Sequence, residues 1–248
     1  MNRITETVKH LLIINVIMFV ATMLIGEAQF FDLFALHYPE NKVFEPWQIV
    51  THMFMHGGFK HLLFNMFALW MFGTAVEQRL GSKKFLILYF AAGLGAVLFQ
   101  LGVDYINYPR LIQELQASGV STEALMDIYG TGKWNFPTTP IQNEQINEAF
   151  NIYNSTMVGA SGCIMGVLAA FGMMNPNAEL MLIFLPIPVK AKYFIPGIIL
   201  LDVISAITGQ SFFSPSNTAY MAHVGGALTG FFIMWYWRKN QFNKNRWN

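Results

Sequence analysis

The chain has 248 residues, of which 54% are hydrophobic and only 12% are charged. Soluble domains carry about 25% charged residues, so this composition leaves too little polar surface for an ordinary cytosolic enzyme. A formal net charge of +1 removes the basic face that nucleic-acid binding needs, and a single cysteine, Cys163, excludes an internal disulfide and cysteine-based metal sites. These counts favour a membrane protein.

Six apolar stretches are long enough to cross a bilayer. A window of about 19 residues identifies them at 10–25, 59–76, 85–103, 157–174, 193–209 and 218–237. Each has about the 17 to 25 residues that a hydrocarbon core of ~30 Å requires. The first stretch follows Arg3 and Lys9 and precedes a small-residue triplet, so it could also be a cleaved signal peptide. We favour a retained helix because five more spans follow.

The distribution of basic residues predicts how the spans are oriented. If the N-terminus is cytoplasmic, only Lys42, Lys60, Arg110 and Lys133 of the 15 Lys and Arg residues lie outside. Cytoplasmic loops are enriched in Lys and Arg, so both termini are expected in the cytoplasm.

Two outer segments have patterns that differ from those of ordinary loops. Segment 26–58 mixes aromatic and polar residues, which is typical of a segment lying partly in the membrane interface. Segment 104–156 is acidic and is expected to form a folded extracytoplasmic insertion between the third and fourth spans. In this insertion, Pro109 is expected to open one helix, Ser121 or Thr122 to cap a second, and Thr139–Pro140 to start a third.

Ser161 and His223 are polar residues in otherwise apolar spans. Polar groups at membrane depth are costly and therefore indicate function. Ser161 lies among small residues that by themselves are typical of close helix packing, and His223 shares a helix face with Ala219 and Gly226. Two facing stripes of small residues would bring Ser161 Oγ within hydrogen-bond distance of a His223 nitrogen. A histidine at that distance can take the serine proton and so activate the serine as a nucleophile. A structural serine–histidine hydrogen bond remains the alternative.

His61 and Asn65 share one face of the second span because they are four residues apart. Both can donate hydrogen bonds to the oxyanion that forms when a serine attacks a carbonyl. The backbone N–H of Ser161, at the start of its helix, is a further donor. The alternative is that His61 and Asn65 are interfacial residues in contact with water.

Together these residues resemble the rhomboid intramembrane serine proteases. The resemblance covers essentially the whole chain except 104–156. It implies one rhomboid-like domain over 1–248, an all-α bundle of six transmembrane helices with a half-embedded first outer loop. The motifs that carry it are Pro46-Trp47-Gln48, His56, His61-Leu62-Leu63-Phe64-Asn65, Glu77-x-Arg79, Gly159-Ala160-Ser161-Gly162 and Ala222-His223-x-Gly225-Gly226-x-x-x-Gly230.

The resemblance implies a role for each matching residue. Ser161 would be the nucleophile of a catalytic dyad, and His223 its general base and then acid. His61, Asn65 and the Ser161 backbone N–H would form the oxyanion site. Glu77 would belong to a structural polar pair with Arg79 on the cytoplasmic side.

Five further residues match positions that line or cover the family's water-filled cavity. His56 and Gln100 would line it, and Gln100 would help to hold the catalytic water. Met165 occupies a position where the family often has an aromatic ring that stacks on the histidine, so this chain would support His223 more loosely. Phe212 and Phe213 would lie in a flexible loop that covers the site.

The resemblance also implies the substrates and the location. The substrates would be other membrane proteins, cut near or within a transmembrane helix by an acyl-enzyme mechanism after the segment unwinds beside a lateral opening. The protein would be a multi-pass protein of the bacterial inner membrane that needs neither a cofactor nor a metal. The partners would be its substrates and the lipid bilayer, with no nucleic acid, and the sequence does not indicate an oligomeric state.

Other functional classes fit the residues less well. A pseudoprotease would be expected to lack Ser161 or His223, and a transporter would be expected to show two matching halves. No His-Glu-x-x-His motif is present for a zinc protease, and His52 and His56 lack a third ligand on their face. Asp202 is the only candidate for an intramembrane aspartate; nothing in the sequence brings it to His223, so a hydrogen-bonded structural role is expected.

Overall fold

The computed structural model describes residues 3–182, 185–211 and 219–244 as a bundle made almost entirely of helices. Within these ranges, four helices are long and apolar enough to cross a membrane: Glu6–Ile25, Phe59–Leu80, Ser82–Ala117 and Ala191–Thr208. Ser161–Met174 is a shorter apolar helix. The expected all-α membrane bundle is confirmed, whereas the count of six spans stays a prediction.

The described residues form helices and two antiparallel sheets of two strands each. Helix Phe59–Leu80 consists of α4, one π turn at Leu69–Gly73 and α5. The helices are α1 Glu6–Ile25, α2 Glu27–Phe34, α3 Gln48–Thr51, α4 Phe59–Ala68, α5 Thr74–Leu80, α6 Ser82–Ala117, α7 Thr122–Thr131, α8 Pro140–Tyr153, α9 Ser161–Met174, α10 Ala191–Thr208 and α11 Tyr220–Lys244. The strands are β1 Leu36–His37, β2 Thr156–Met157, β3 Glu179–Leu182 and β4 Leu185–Lys190.

Helix α9 lies at the centre of the bundle. Its residues from Gly162 to Ala170 are all buried, which means that protein surrounds the helix on every side. Helices α6 and α11 pack against it and against each other. The outer helices expose large apolar side chains such as Leu98 and Ile207, as lipid-facing surfaces require.

The first outer loop is folded rather than extended. It contains α2, β1, α3 and a short 3₁₀ turn at His52–Phe54. Gln48 is fully buried and holds the loop together, because its side-chain amide donates to the backbone oxygens of Asp32 and Val43 at 2.8 and 2.9 Å. This network holds His52 and the residues that follow it against the bundle.

The insertion 104–156 has its own small core and is joined to the outer loop. Helices α7 and α8 begin at caps supplied by Ser121 and Thr139, as expected. Tyr38 of the outer loop is 1% exposed and belongs to this core, and β1 pairs with β2. The outer loop and the insertion therefore pack as one unit.

Pro109 does not open a new helix, which corrects the expectation from sequence. Helix α6 continues through Pro109 to Ala117. The buried side chains of Tyr108, Leu111 and Leu115 extend one apolar face across the proline, and this face packs in the insertion core. Burial of that face offsets the backbone hydrogen bond that a proline cannot donate.

Glu77 connects α5 to the start of α1. Its buried carboxylate accepts hydrogen bonds from the Val8 N–H at 3.0 Å, the Ser82 hydroxyl at 2.7 Å and the Thr5 hydroxyl. A carboxylate at a helix N-terminus accepts hydrogen bonds from free N–H groups and interacts favourably with the positive end of the helix dipole.

Candidate active site

Ser161 is the first residue of α9. The span predicted from 157 begins as a helix only at Ser161, because Gly159 (φ +121°) turns the chain just before it. The Gly159 N–H donates to the His52 backbone oxygen at 2.9 Å, which ties this turn to the outer loop. Ser161 consequently sits where backbone N–H groups are free and the helix dipole favours negative charge.

Helices α9 and α11 approach each other through glycines, as the two small-residue stripes predicted. A Cβ placed on Gly226 would lie 2.1 Å from the Gly162 oxygen, and one on Gly230 would lie 2.4 Å from the Gly166 oxygen. Only residues without a side chain allow this contact. The approach brings the helix that carries His223 directly onto the helix that carries Ser161.

His223 and Ser161 are joined by a hydrogen bond. The distance from His223 Nε2 to Ser161 Oγ is 2.9 Å, and the His223 side chain is 13% exposed. A neutral imidazole whose Nε2 accepts from a serine hydroxyl is arranged to take its proton. The geometry therefore permits nucleophilic chemistry at Ser161.

Asp202 contacts the other nitrogen of the same imidazole, which the sequence did not indicate. Its Oδ2 lies 3.0 Å from His223 Nδ1, and the carboxylate is buried on α10. The two residues are 21 positions apart on different helices, so no local spacing reveals the contact. The cost of a lone carboxylate in a span was the one available indication that it had a partner.

His61 and Asn65 lie beside the turn that precedes Ser161. The Asn65 side-chain amide donates to the His61 backbone oxygen at 2.9 Å, so both residues lie on one face of α4. A Cβ placed on Gly159 would lie 2.8 Å from His61 Nε2 and 3.7 Å from Ser161 Oγ. The space left by Gly159 is thus bordered by the imidazole and the serine.

His56 packs edge-on against His61, with ring centroids 5.1 Å apart. It is 1% exposed, and neither ring nitrogen has a hydrogen-bond partner among the described residues. Burial lowers the pKa of His56 to about 3, and it lowers the pKa of His52 to about 4. Both imidazoles are neutral near pH 7.

Gln100 lies at a cavity beside the insertion, whereas Met165 lies in the main core. Gln100 donates to both carboxylate oxygens of Asp104 at 3.2 Å and lines a cavity of about 560 Å³ against α8. Met165 is buried in the main core one turn after Ser161. The loop with Phe212 and Phe213 lies outside the described residues.

Comparisons with known proteins agree with this architecture. A family model described as the Rhomboid domain matches residues 43–131 and 139–240. Rhomboid protein 1, mitochondrial, of Saccharomyces cerevisiae is 29% identical over 189 residues, which are 76% of this chain and 41% of that protein. Presenilin-associated rhomboid-like protein, mitochondrial, of Rattus norvegicus is 28% identical over 184 residues, 74% of this chain and 35% of that protein.

A bacterial relative shows higher identity over a shorter stretch. Rhomboid protease GluP of Bacillus subtilis is 50% identical over 50 residues, which are 20% of this chain and 10% of that protein. The chain thus spans less than half the length of each of these relatives. The Rhomboid domain match nevertheless covers most of the chain, from the first outer loop into α11. This membrane protein belongs to the rhomboid family.

Proposed function

We propose that the chain is an intramembrane serine endopeptidase in which Ser161 is the nucleophile and His223 the general base. The observation that carries the proposal is the 2.9 Å hydrogen bond between His223 Nε2 and Ser161 Oγ. The hydrogen bond lies at the N-terminus of the buried helix α9. Polar side chains at membrane depth are energetically costly, so their presence there indicates function.

The chemistry follows from this pair. Ser161 Oγ attacks the carbonyl carbon of a substrate peptide bond while its proton passes to His223 Nε2. The imidazolium returns that proton to the leaving amine, which leaves an acyl-enzyme. Water then attacks the ester with His223 again as base, and a carboxylic acid and free Ser161 are released.

The oxyanion is assigned to donors on two elements. The Ser161 N–H and the free N–H groups of the first turn of α9 point toward negative charge at this end of the helix. The His61 ring borders the space left by Gly159, and Asn65 lies on the same face of α4 as His61. We assign both side chains to the oxyanion as well. His56, against the His61 ring, is assigned to support that imidazole.

The substrates are proposed to be transmembrane segments of other proteins, because the site lies within a bundle that only membrane-embedded chains can approach laterally. The excess of Lys and Arg on one side supports cytoplasmic termini and an outward-facing site. A bacterial cell membrane is the proposed location. Reporter fusions to each end of the chain test the orientation.

Cleavage of a transmembrane reporter in proteoliposomes tests the enzymatic proposal. Wild-type protein is expected to cut the reporter, whereas Ser161→Ala and His223→Ala are expected to leave it intact while still inserting into the bilayer. Ser155→Ala and His10→Ala remove the same groups elsewhere and should retain cleavage. Cleavage by Ser161→Ala at the wild-type rate would refute the proposal.

A further inference from the structure

Asp202 is a buried carboxylate on the inner face of α10. It is 3% exposed, whereas Leu200 and Ile207 on the outer faces of the same helix are 59% and 79% exposed. The buried stripe that includes Asp202 is formed by Ala191, Ile195, Asp202 and Ser205. Burying an unpaired carboxylate is expensive, so its partner indicates why it is there.

That partner is the imidazole of the proposed general base. Asp202 Oδ2 lies 3.0 Å from His223 Nδ1, and the opposite nitrogen, Nε2, lies 2.9 Å from Ser161 Oγ. An ionised carboxylate oxygen can only accept a hydrogen bond, so Nδ1 carries the proton and donates it. Nε2 is then left with a lone pair directed at the Ser161 hydroxyl.

We propose that Asp202 is a positioning residue that completes a Ser–His–Asp triad from α9, α11 and α10. The proposal rests on the proposed function. Asp202 holds His223 in the tautomer and ring orientation that accept the serine proton. When the Ser161 proton moves to Nε2 and the Oγ electron pair bonds the carbonyl carbon, the Nδ1 proton stays on the ring. The carboxylate stabilises the resulting imidazolium without taking a proton.

Met165 lies one turn after Ser161 on α9. A ring stacked on His223 would fix the imidazole from its face, and Met165 supplies no ring at that position. The hydrogen bond from Asp202 fixes the same imidazole from its edge.

Rates of fluorophosphonate labelling and of reporter cleavage test the proposal. Asp202→Asn is expected to slow both by about 10²- to 10⁴-fold because the tautomer is no longer fixed. KM should change little, since Asp202 does not touch substrate, and Asp202→Glu should recover part of kcat. Ser205→Ala, which removes another buried polar group from α10, is the matched control and should label at the wild-type rate.

The outcomes distinguish failure of the triad from failure of the proposed serine endopeptidase activity. Labelling of Asp202→Asn at the wild-type rate, with Ser161→Ala unlabelled, would overturn the triad and leave the serine protease intact. A wild-type protein that neither labels nor cleaves would instead remove the proposed function. A loss of activity confined to KM would also overturn the positioning role.

Nitrogen NMR of His223 in the folded wild-type protein tests the same claim without a variant of Asp202. The proposal expects a protonated Nδ1 with a strongly downfield proton and an unprotonated Nε2. Ser161→Ala should keep the downfield proton, because the Asp202 contact is independent of the serine. Protonation at Nε2 instead of Nδ1 in the wild type would overturn the proposal.

Discussion

Replacement of Gly226 by alanine tests whether the close approach of α9 and α11 sets the geometry of the site. The new Cβ would lie 2.1 Å from the Gly162 oxygen, whereas ordinary contact begins at 3.4 Å. The two helices must therefore separate locally by about 1.3 Å, the difference between these two distances. Gly162 is next to Ser161, and Gly226 is one turn after His223.

This separation is large compared with the hydrogen bond that it perturbs. The Oγ–Nε2 distance of 2.9 Å would exceed the ~3.5 Å beyond which such a bond is lost. A misplacement of about 1 Å can cost 10²-fold in rate, and overpacking costs about 1–3 kcal/mol of stability. We predict a loss of about 10²-fold in the fluorophosphonate labelling rate for Gly226→Ala.

The assay compares labelling rates and thermal unfolding in detergent. Gly197→Ala on α10 is the matched control, since a Cβ there meets no atom within 4 Å and both changes add one methyl group to a membrane helix. The control should label at the wild-type rate. A Gly226→Ala protein that labels as fast as the control would refute the inference that glycine contacts set the distance between serine and histidine.

Three further predictions concern the turn before Ser161, the Glu77 carboxylate and the buried histidines. Gly159→Ala should slow cleavage by about 10-fold or more, because its Cβ would lie 2.8 Å from His61 Nε2 at a φ of +121° that disfavours alanine; unchanged kcat would contradict this. Glu77→Gln should lower the free energy of unfolding by about 1–3 kcal/mol in chemical denaturation, with exposed Glu6→Gln as the control, and equal stabilities would contradict the capping role. Burial holds the pKa of His56 at about 3 and that of His52 at about 4, below the ordinary 6.5. Because the unfolded chain then binds more protons than the folded one, the melting temperature should fall as the pH drops below about 6.5. A flat melting-temperature profile down to pH 4.5, or the same slope in His56→Gln, would contradict this.

The contact between Ser161 and His223 could be predicted because small residues at helical spacing indicate close packing of two helices. Gly162, Gly166, Gly226 and Gly230 mark the faces that meet, and one polar residue accompanies each stripe. Helix starts outside the membrane could be predicted where a capping residue marks them, as Thr139 does for α8. These features depend on residues near one another in the chain.

Contacts between distant residues were not readable. The pairing of Asp202 with His223 depends on how α10 rotates against α11, and a single sequence carries no record of that rotation. The continuation of α6 through Pro109 depends on burial against the insertion core. The participation of Tyr38 in that core likewise depends on the fold of two segments that are far apart in sequence.

Peptide mapping of the fluorophosphonate adduct tests whether Ser161 is a nucleophile that His223 activates. We expect one modified residue, Ser161, in the wild-type protein and no modification in a folded His223→Ala protein, since the hydroxyl then loses the base 2.9 Å away. An adduct on another serine, or equal modification of Ser161 without His223, would contradict it.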